Sequence, residues 1–228
     1  MKFGLVGHPL GHSYSPFLHQ QFGDYGYELF DLDEKELASF FKKKEFKGVN
    51  VTIPYKQTVI PYLDEVDESV DKIGACNTIV NNNGVLKGYN TDFYGLKTLI
   101  EESGISIKGK TVAILGTGGT SKTSYAVISS LGAKKILIVS RDEKPGCISY
   151  DDLYGLGDEI QIVLNATPVG MSPNYHAKPI NLSQFSHLEG VVDVIYNPLR
   201  SLLVQEAQSL GLIGVGGLRM LAGQAYKA

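Results

Sequence analysis

The sequence has little cysteine, no long apolar run and no excess of one charge, and each absence excludes a class of protein. Its 228 residues include only two cysteines, Cys76 and Cys147, which are too few and too far apart for a disulfide framework or a zinc cluster. Apolar runs such as 112–115 are strand-sized and fall far short of the roughly 18 residues that span a bilayer. The 21 Lys+Arg against 24 Asp+Glu give a net charge of -3, which argues against a nucleic-acid partner. We therefore expect a reduced, cytoplasmic protein that is neither membrane-bound nor bound to nucleic acid.

The residues that are present predict an α/β protein. Hydrophobic residues make up 43% of the chain, which is enough for a packed core. In the second half, continuous Val/Ile/Leu runs at 111–115, 136–139, 161–164 and 190–195 are separated by helical patterns, which indicates a parallel sheet covered on both faces. The first half mixes strands and helices less regularly, and a boundary near 104–109 separates the two.

The first half carries its own set of predicted elements. Asn83-Gly84 between two alternating runs indicates a β-hairpin, and Pro54 indicates the start of a helix with Lys56 in its first turn. A cation there opposes the helix dipole, which is a weak functional hint, although a surface lysine explains it equally well. The predicted strands are 2–6, 27–32, 48–51, 78–80 and 85–88, and the other predicted helices are 15–22, 34–43 and 91–102.

A glycine-rich turn links the first strand of the second half to the next helix, where backbone N–H groups can bind a phosphate. The dinucleotide-binding fingerprint requires Gly116, Gly118 and a third small residue, which here is Ser121. The P-loop of NTPases requires glycine at that position, followed by Lys122 and Thr123. Each motif fails at one residue, and the fingerprint tolerates its mismatch better.

The end of the next strand favours the dinucleotide. Arg141 stands where an acidic residue would contact the ribose 2′-hydroxyl, and an arginine suits a 2′-phosphate instead. An NTPase stays open as an alternative because Asp193 ends an apolar strand as a metal-binding aspartate does, and an ordinary tight turn is a third possibility.

Polar residues cluster at three turns of the first half. Ser13 and Ser15 precede Pro16, where helix capping is the ordinary explanation. Asp92 falls in a helix first turn, which also favours it for capping and dipole reasons. Lys56 and Asp92 could nevertheless exchange a proton with a substrate hydroxyl. His8 and His12 lack a further ligand, so we predict no metal site.

Together these segments resemble the shikimate dehydrogenase family, nearly from end to end of the chain. The landmarks, in chain order, are 11–16 (GHSYSP), 50–56 (NVTIPYK), 74–78 (GACNT), 88–92 (GYNTD), 116–119 (GTGG), 165–171 (NATPVGM), 193–198 (DVIYNP) and 216–225 (GGLRMLAGQA). One such motif would be weak, whereas the ordered series is specific.

The resemblance implies a two-domain α/β enzyme that oxidises shikimate reversibly to 3-dehydroshikimate with NADP, in aromatic amino-acid (chorismate) biosynthesis. It implies a substrate-binding catalytic domain over 1–103, rejoined by 217–228, and a Rossmann-like NADP-binding domain over 104–216. By position, the catalytic pair would be Lys56 and Asp92. The implied substrate-binding residues are Ser13, Ser15, Thr52, Asn77, Tyr196 and Gln224. The implied cofactor-binding residues are Gly116, Gly118, Gly119, Arg141, Thr167, Met171 and Gly217.

The chain departs from the family pattern at three places, and these leave the cofactor and the substrate open. Ser140-Arg141-Asp142 stands where the family usually has Asn-Arg-Thr, and Asp142 would weaken a phosphate contact, so NAD is an alternative cofactor. The interval between Arg141 and Asn165 looks too short for the usual full helix, and only three residues follow Ala225 where family members continue. A dehydrogenase that prefers quinate and a non-catalytic relative that binds shikimate are two further interpretations. We expect a monomer or a homodimer.

Overall fold

The computed structural model describes residues 2–11 and 13–228. His12, within the first of the motifs above, therefore lies outside the described residues. The chain divides into two compact units, residues 1–92 with 224–228, and residues 93–223. The division of roles between a substrate-binding and an NADP-binding domain stays a prediction.

The first unit is built on a six-stranded mixed sheet in the order β2-β1-β3-β5-β6-β4. Its strands are β1 (Lys2–Gly7), β2 (Tyr27–Asp31), β3 (Phe46–Val51), β4 (Glu65–Val66), β5 (Thr78–Asn82) and β6 (Val85–Tyr89). Strands β2, β1 and β3 are parallel, whereas β3, β5 and β6 are antiparallel. The predicted hairpin is present, since Asn82 pairs with Val85 across Asn83 and Gly84, both at positive φ.

Helices connect these strands and cover their apolar positions. They are α1 (Ser15–Phe22), α2 (Glu34–Lys43), α3 (Glu68–Ile73) and α4 (Thr91–Ser103), of which α4 continues into the second unit. The core of the first unit collects alternate apolar residues of the strands, such as Val49, Val51 and Ile79, with Leu37 and Phe41 of α2. These side chains repeat with the periods of strands and helices, which explains why the sequence predicts these elements well.

The second unit contains the predicted parallel sheet, with six strands in the order β12-β11-β10-β7-β8-β9. They are β7 (Thr111–Leu115), β8 (Lys135–Val139), β9 (Cys147–Ile148), β10 (Ile162–Asn165), β11 (Gly190–Asp193) and β12 (Ile213–Val215), and all the pairings are parallel. Its helices are α5 (Gly119–Ser130), α6 (Tyr150–Gly155), α7 (Leu202–Ser209) and α8 (Leu218–Lys227). Buried clusters lie on both faces of this sheet, which confirms the α/β prediction.

Two segments of the chain, after Thr52 and after Arg141, contain turns or short elements in place of a long α-helix. The predicted helix at Pro54 is wrong: the segment forms turns, held by Tyr55 N–H donating to Thr52 O and Val59 N–H to Tyr55 O, and then a 3-10 turn at Ile60–Tyr62. Between Arg141 and Asn165 the chain forms the short strand β9, the six-residue α6 and a 3-10 turn at Gly157–Glu159 before β10 begins. Among the described residues, none of the helices is long and apolar enough to cross a membrane.

Candidate functional site

Lys56 and Asp92, separated by 36 positions, form an ion pair in the first unit. Lys56 Nζ donates to Asp92 Oδ2, and the two side chains keep 22% and 11% of their exposure. Asp92 lies in the first turn of α4, where the helix dipole stabilises a carboxylate. A cation and an anion that are mostly buried yet reachable from solvent can take up and release a proton.

Backbone contacts hold Lys56 in place despite the absence of a helix. The Cys76 N–H donates to Lys56 O at 2.6 Å. The adjacent Tyr55 is buried, and its hydroxyl donates to Leu32 O at 2.7 Å. Burial raises the pKa of Cys76 to about 11, so this neighbour of the pair stays a thiol.

Asn77 connects the lysine–aspartate pair to a buried polar network. Its Oδ1 accepts from Thr91 N at 2.7 Å, and its Nδ2 donates to Thr91 Oγ1 at 3.1 Å. Thr91 is the first residue of α4, so Asn77 satisfies an N-terminal N–H of the helix that carries Asp92. The structure therefore brings three predicted site residues, Lys56, Asn77 and Asp92, to one region.

The network continues through residues that the sequence reasoning missed. Tyr27 Oη donates to Asn50 Oδ1 at 2.7 Å, and Asn50 Nδ2 donates to Thr78 Oγ1 at 3.1 Å. The buried His19 stacks on the Tyr27 ring at a centroid distance of 4.0 Å, and burial lowers the pKa of its imidazole. A signal was available for Asn50, because it is a polar residue between two buried valines of β3. No local pattern distinguishes Tyr27 from an ordinary strand tyrosine.

Ser13, Ser15 and Thr52 lie in the turns that follow β1 and β3. Ser15 is the first residue of α1 and its hydroxyl does not cap the helix; instead Ser13 Oγ accepts from Ser15 N at 3.2 Å. The Ser15 hydroxyl interacts with Tyr27. The Thr52 N–H donates to Val6 O, and its methyl fills the space beside Gly7, where a Cβ would lie 2.6 Å away.

Gln224 reaches the first unit from the other end of the chain. It is half-buried on α8, and residues 224–228 group with 1–92. The structure thus keeps Gln224 in the same unit as the other predicted substrate-binding residues, with the exception of Tyr196.

The glycine-rich turn of the second unit forms an open cradle at the start of α5. Gly116 adopts φ +104°, which favours glycine. A Cβ built on Gly118 or Gly119 meets no heavy atom of the described part of the chain within 4 Å. The helix begins with no side-chain cap and no acidic residue in its first turn, so its N-terminal N–H groups suit the pyrophosphate of a dinucleotide.

Two cations follow β8 beside this turn. Arg141 is exposed at the carboxyl end of β8, which pairs with β7 along its length. Lys144, which the sequence reasoning missed, donates from Nζ to Thr117 Oγ1 at 2.8 Å, within the turn itself. A lysine in a loop belongs to no periodic pattern, so the sequence alone does not indicate this contact. Both cations suit the additional phosphate of NADP.

The remaining predicted site residues of the second unit, three for the cofactor and Tyr196 for the substrate, follow β10, β11 and β12. Thr167 N and Oγ1 both donate to Asn165 Oδ1, at 3.0 and 2.7 Å. Met171 is exposed on the same loop. Tyr196 is half-buried just after β11. The Gly217 N–H donates to Ile195 O at 2.8 Å, and a Cβ on Gly217 would clash with Val194 O.

The geometry does not support the NTPase alternative. Asp193, the candidate metal ligand, is wholly buried and its oxygens accept from Ser201, Asn165 and the Ile195 N–H. A carboxylate that is enclosed in this way cannot hold a nucleotide-bound metal ion at the turn.

The chain is similar to known proteins over almost its whole length. The family model described as "Shikimate dehydrogenase substrate binding domain" matches residues 5–79. The shikimate dehydrogenase (NADP(+)) of Clostridium beijerinckii is 36% identical over 243 residues, which cover 99% of this chain and 89% of the relative.

Solved structures extend the likeness over the whole fold. Shikimate dehydrogenase 1 from Peptoclostridium difficile superposes with a TM-score of 0.87 at 36% identity, covering 100% of this chain and 89% of that one. The shikimate 5-dehydrogenase from Thermus thermophilus, solved in complex with NADP(H) and shikimate, gives a TM-score of 0.87 at 30% identity, with 99% and 90% covered. The chain therefore belongs to the shikimate dehydrogenase family.

Proposed function

We propose that this protein catalyses the reversible, NADP-dependent oxidation of shikimate to 3-dehydroshikimate, a step of aromatic amino-acid biosynthesis. Membership of the family supports this activity across almost the full chain. The observation that carries it is the Lys56–Asp92 pair, set at the end of a network of hydroxyl and amide groups. That network suits a polyhydroxy acid, which needs many short donors and acceptors in fixed places.

Lys56 and Asp92 handle the proton of the reacting hydroxyl. In oxidation, Lys56 in its amine form takes up the hydroxyl proton as the carbonyl forms, and the hydride lost by the same carbon would be taken up by bound NADP. In reduction, the Lys56 ammonium returns a proton to the carbonyl oxygen. The Asp92 carboxylate stabilises the ammonium and keeps its Nζ at one position.

In this proposal, six side chains bind the carboxylate and the remaining hydroxyls of the substrate. They are Ser13, Ser15, Thr52, Asn77, Tyr196 and Gln224. A site that pairs each substrate hydroxyl rejects an analogue that lacks one, because its own polar groups are left unpaired. Asn77 is already bonded to Thr91, so it offers its remaining capacity in a fixed orientation.

NADP is held by the second unit in this proposal. Gly116, Gly118 and Gly119 accommodate the pyrophosphate, Arg141 and Lys144 bind the 2′-phosphate, and Thr167, Met171 and Gly217 line the nicotinamide. When it is bound, NADP supplies the hydride acceptor. The open space over Gly118 and Gly119, the uncapped start of α5 and the two cations all fit such a group.

A steady-state assay with two acids and two cofactors tests the proposal. Purified protein is mixed with shikimate or quinate and with NADP or NAD, and the reduced nicotinamide is followed by its absorbance. We expect the highest kcat/KM for shikimate with NADP. Higher kcat/KM with quinate or with NAD would favour those alternatives. Tight shikimate binding without turnover, by folded protein, would favour the non-catalytic relative.

We also propose a cytoplasmic location and a monomeric or homodimeric state. Both cysteines are free thiols, which suits a reducing compartment. Light scattering on the purified protein measures the assembly, and a tetramer or larger particle would contradict this part of the proposal.

A further inference from the structure

A buried carboxylate that the proposed mechanism does not use lies at the carboxyl end of β11. Asp193 has no solvent exposure, and aspartate is almost never fully buried unless its charge is satisfied. Three donors surround it: Asn165 Nδ2 at 3.1 Å, the Ile195 N–H at 3.0 Å and Ser201 Oγ at 2.5 Å. The group is thus satisfied as a carboxylate, and it joins two loops and a helix.

Two partners, the Asp193 carboxylate and the Thr167 backbone, hold the Asn165 amide in one orientation. The Thr167 backbone N–H can only donate, and it contacts Asn165 Oδ1 at 3.0 Å. Asn165 Nδ2 must therefore face Asp193. With that orientation Oδ1 also accepts from the Thr167 hydroxyl at 2.7 Å. Asp193 fixes Asn165, and Asn165 fixes both the backbone and the hydroxyl of Thr167.

The same carboxylate reaches the other predicted site segments of the second unit. Its bond to the Ile195 N–H holds the loop that carries Tyr196, and Ile195 O accepts from Gly217 N at 2.8 Å. The Thr167 methyl in turn packs against Gly116, where a Cβ would lie 3.0 Å from Thr167 Cγ2.

We infer that Asp193 is a positioning residue for the cofactor-binding edge of the second unit, acting through Asn165 on Thr167 and through Ile195 on the Tyr196 and Gly217 segments. It touches no reacting atom. The inference rests on the proposed use of NADP. From its sequence pattern alone, Asp193 is recognised only as the residue that ends an apolar strand.

A variant of Ser201 serves as the control that distinguishes this positioning role from a general stabilisation of the fold. Its hydroxyl donates to the other carboxylate oxygen and accepts from Val204 N at 3.3 Å as the N-cap of α7. Ser201→Ala therefore weakens the fold next to Asp193 but leaves Asn165 and Ile195 bonded. Asp193→Asn keeps an oxygen that can accept from both, with its amide turned to Ser201.

The test compares Asp193→Ala, Asp193→Asn, Ser201→Ala and wild type in two measurements. The first is the NADP dissociation constant by calorimetry, with the shikimate KM beside it. We expect Asp193→Ala to weaken NADP binding roughly 10- to 100-fold, with a smaller effect on shikimate. Asp193→Asn should stay within about threefold of wild type, and Ser201→Ala should lower only the unfolding temperature.

The second measurement is amide hydrogen exchange in the protein without ligands. Peptides covering 165–169 and 193–196 should exchange roughly tenfold faster in Asp193→Ala, but not in Ser201→Ala. If Asp193→Ala does not fold, Asn165→Ala replaces it, since it breaks the link to Thr167 without touching the carboxylate.

Unchanged NADP binding and exchange in the folded variant would overturn the inference, as would an equal loss of NADP binding in Ser201→Ala. Failure of the proposed function is distinct from either result, because it would already be seen in wild type as absent turnover or absent NADP binding.

Discussion

At the scale of single residues, the site depends on side chains whose partners are distant in sequence. Lys56 and Asp92 meet because the turn after β3 and the start of α4 lie together in the first unit. The motifs predict both positions, but Lys56 lies in a turn and not in a helix, so it opposes no helix dipole. Tyr27 and Lys144 could not be found, because their importance lies only in contacts across 23 and 27 positions.

Asp193 gives a pH-dependent contribution to stability. Burial raises the pKa of its carboxyl from 3.8 to about 6, and its hydrogen-bond partners are all neutral groups. The folded chain thus binds this proton more tightly than the unfolded chain. The resulting stabilisation is fully present below about pH 4 and is lost as the pH rises through about 6; it is on the order of 3 kcal/mol.

Urea unfolding of wild type and Asp193→Asn across about pH 4 to 7 measures this contribution. The unfolding free energy of wild type minus that of the variant should fall with rising pH and then level off. Subtracting the unfolding free energy of the variant cancels the contribution of carboxylates whose pKa is lowered, such as Asp31 and Asp67. These groups titrate equally in both proteins. A difference that is constant or rises with pH is incompatible with a raised pKa at Asp193.

At the scale of elements, local patterns predict most strands and helices. They fail where contacts with distant segments determine the backbone conformation. The continuous apolar runs of β7 and β10 and the Asn83-Gly84 hairpin each carry a strong local signal, and each is present. Pro54 carries the signal of a helix start, yet the backbone around it is fixed by Cys76 and Tyr55, which bond to other segments. Such contacts leave no periodicity in the sequence.

A substitution in the glycine-rich turn should weaken cofactor binding without lowering the unfolding free energy. Gly119 is the first residue of α5, and the space over it is open. Gly119→Ala should keep or raise the unfolding free energy by up to about 1 kcal/mol, while its methyl obstructs the pyrophosphate. We expect the NADP dissociation constant to rise roughly tenfold or more.

Gly155→Ala is the matched control, because Gly155 ends α6 and also has nothing within 4 Å of an added Cβ. It should leave NADP binding unchanged. If Gly119→Ala binds NADP as wild type does, the turn is not the pyrophosphate site.

At the scale of the whole molecule, each unit has a core of its own and a separate predicted ligand. Within the described residues, the first unit encloses one buried cluster, and the second encloses two, one on each face of its sheet. The α/β class and the family could be predicted from the ordered motifs, whereas the boundaries of the units could not. They fall inside α4 and α8, where an unbroken helical pattern gives no sign of a division.

Hydrogen exchange with each ligand tests this assignment. Shikimate should protect peptides of the first unit around 13–20, 52–56 and 77–92, because a ligand stabilises the segments that it contacts. NADP should protect 116–124, 141–144 and 165–171 in the second unit. Protection of the second unit's turn by shikimate alone, or of the segment at 52–56 by NADP alone, argues against the proposed division.

The most direct test of the account is the turnover number of Lys56→Met in shikimate oxidation with NADP. Lys72→Met serves as the control, since Lys72 forms an exposed pair with Glu68 in the same unit. We predict that kcat falls at least about 100-fold in Lys56→Met, with the unfolding temperature and NADP affinity close to wild type, and that Lys72→Met is fully active. A folded Lys56→Met variant that turns over shikimate at the wild-type rate would contradict the account.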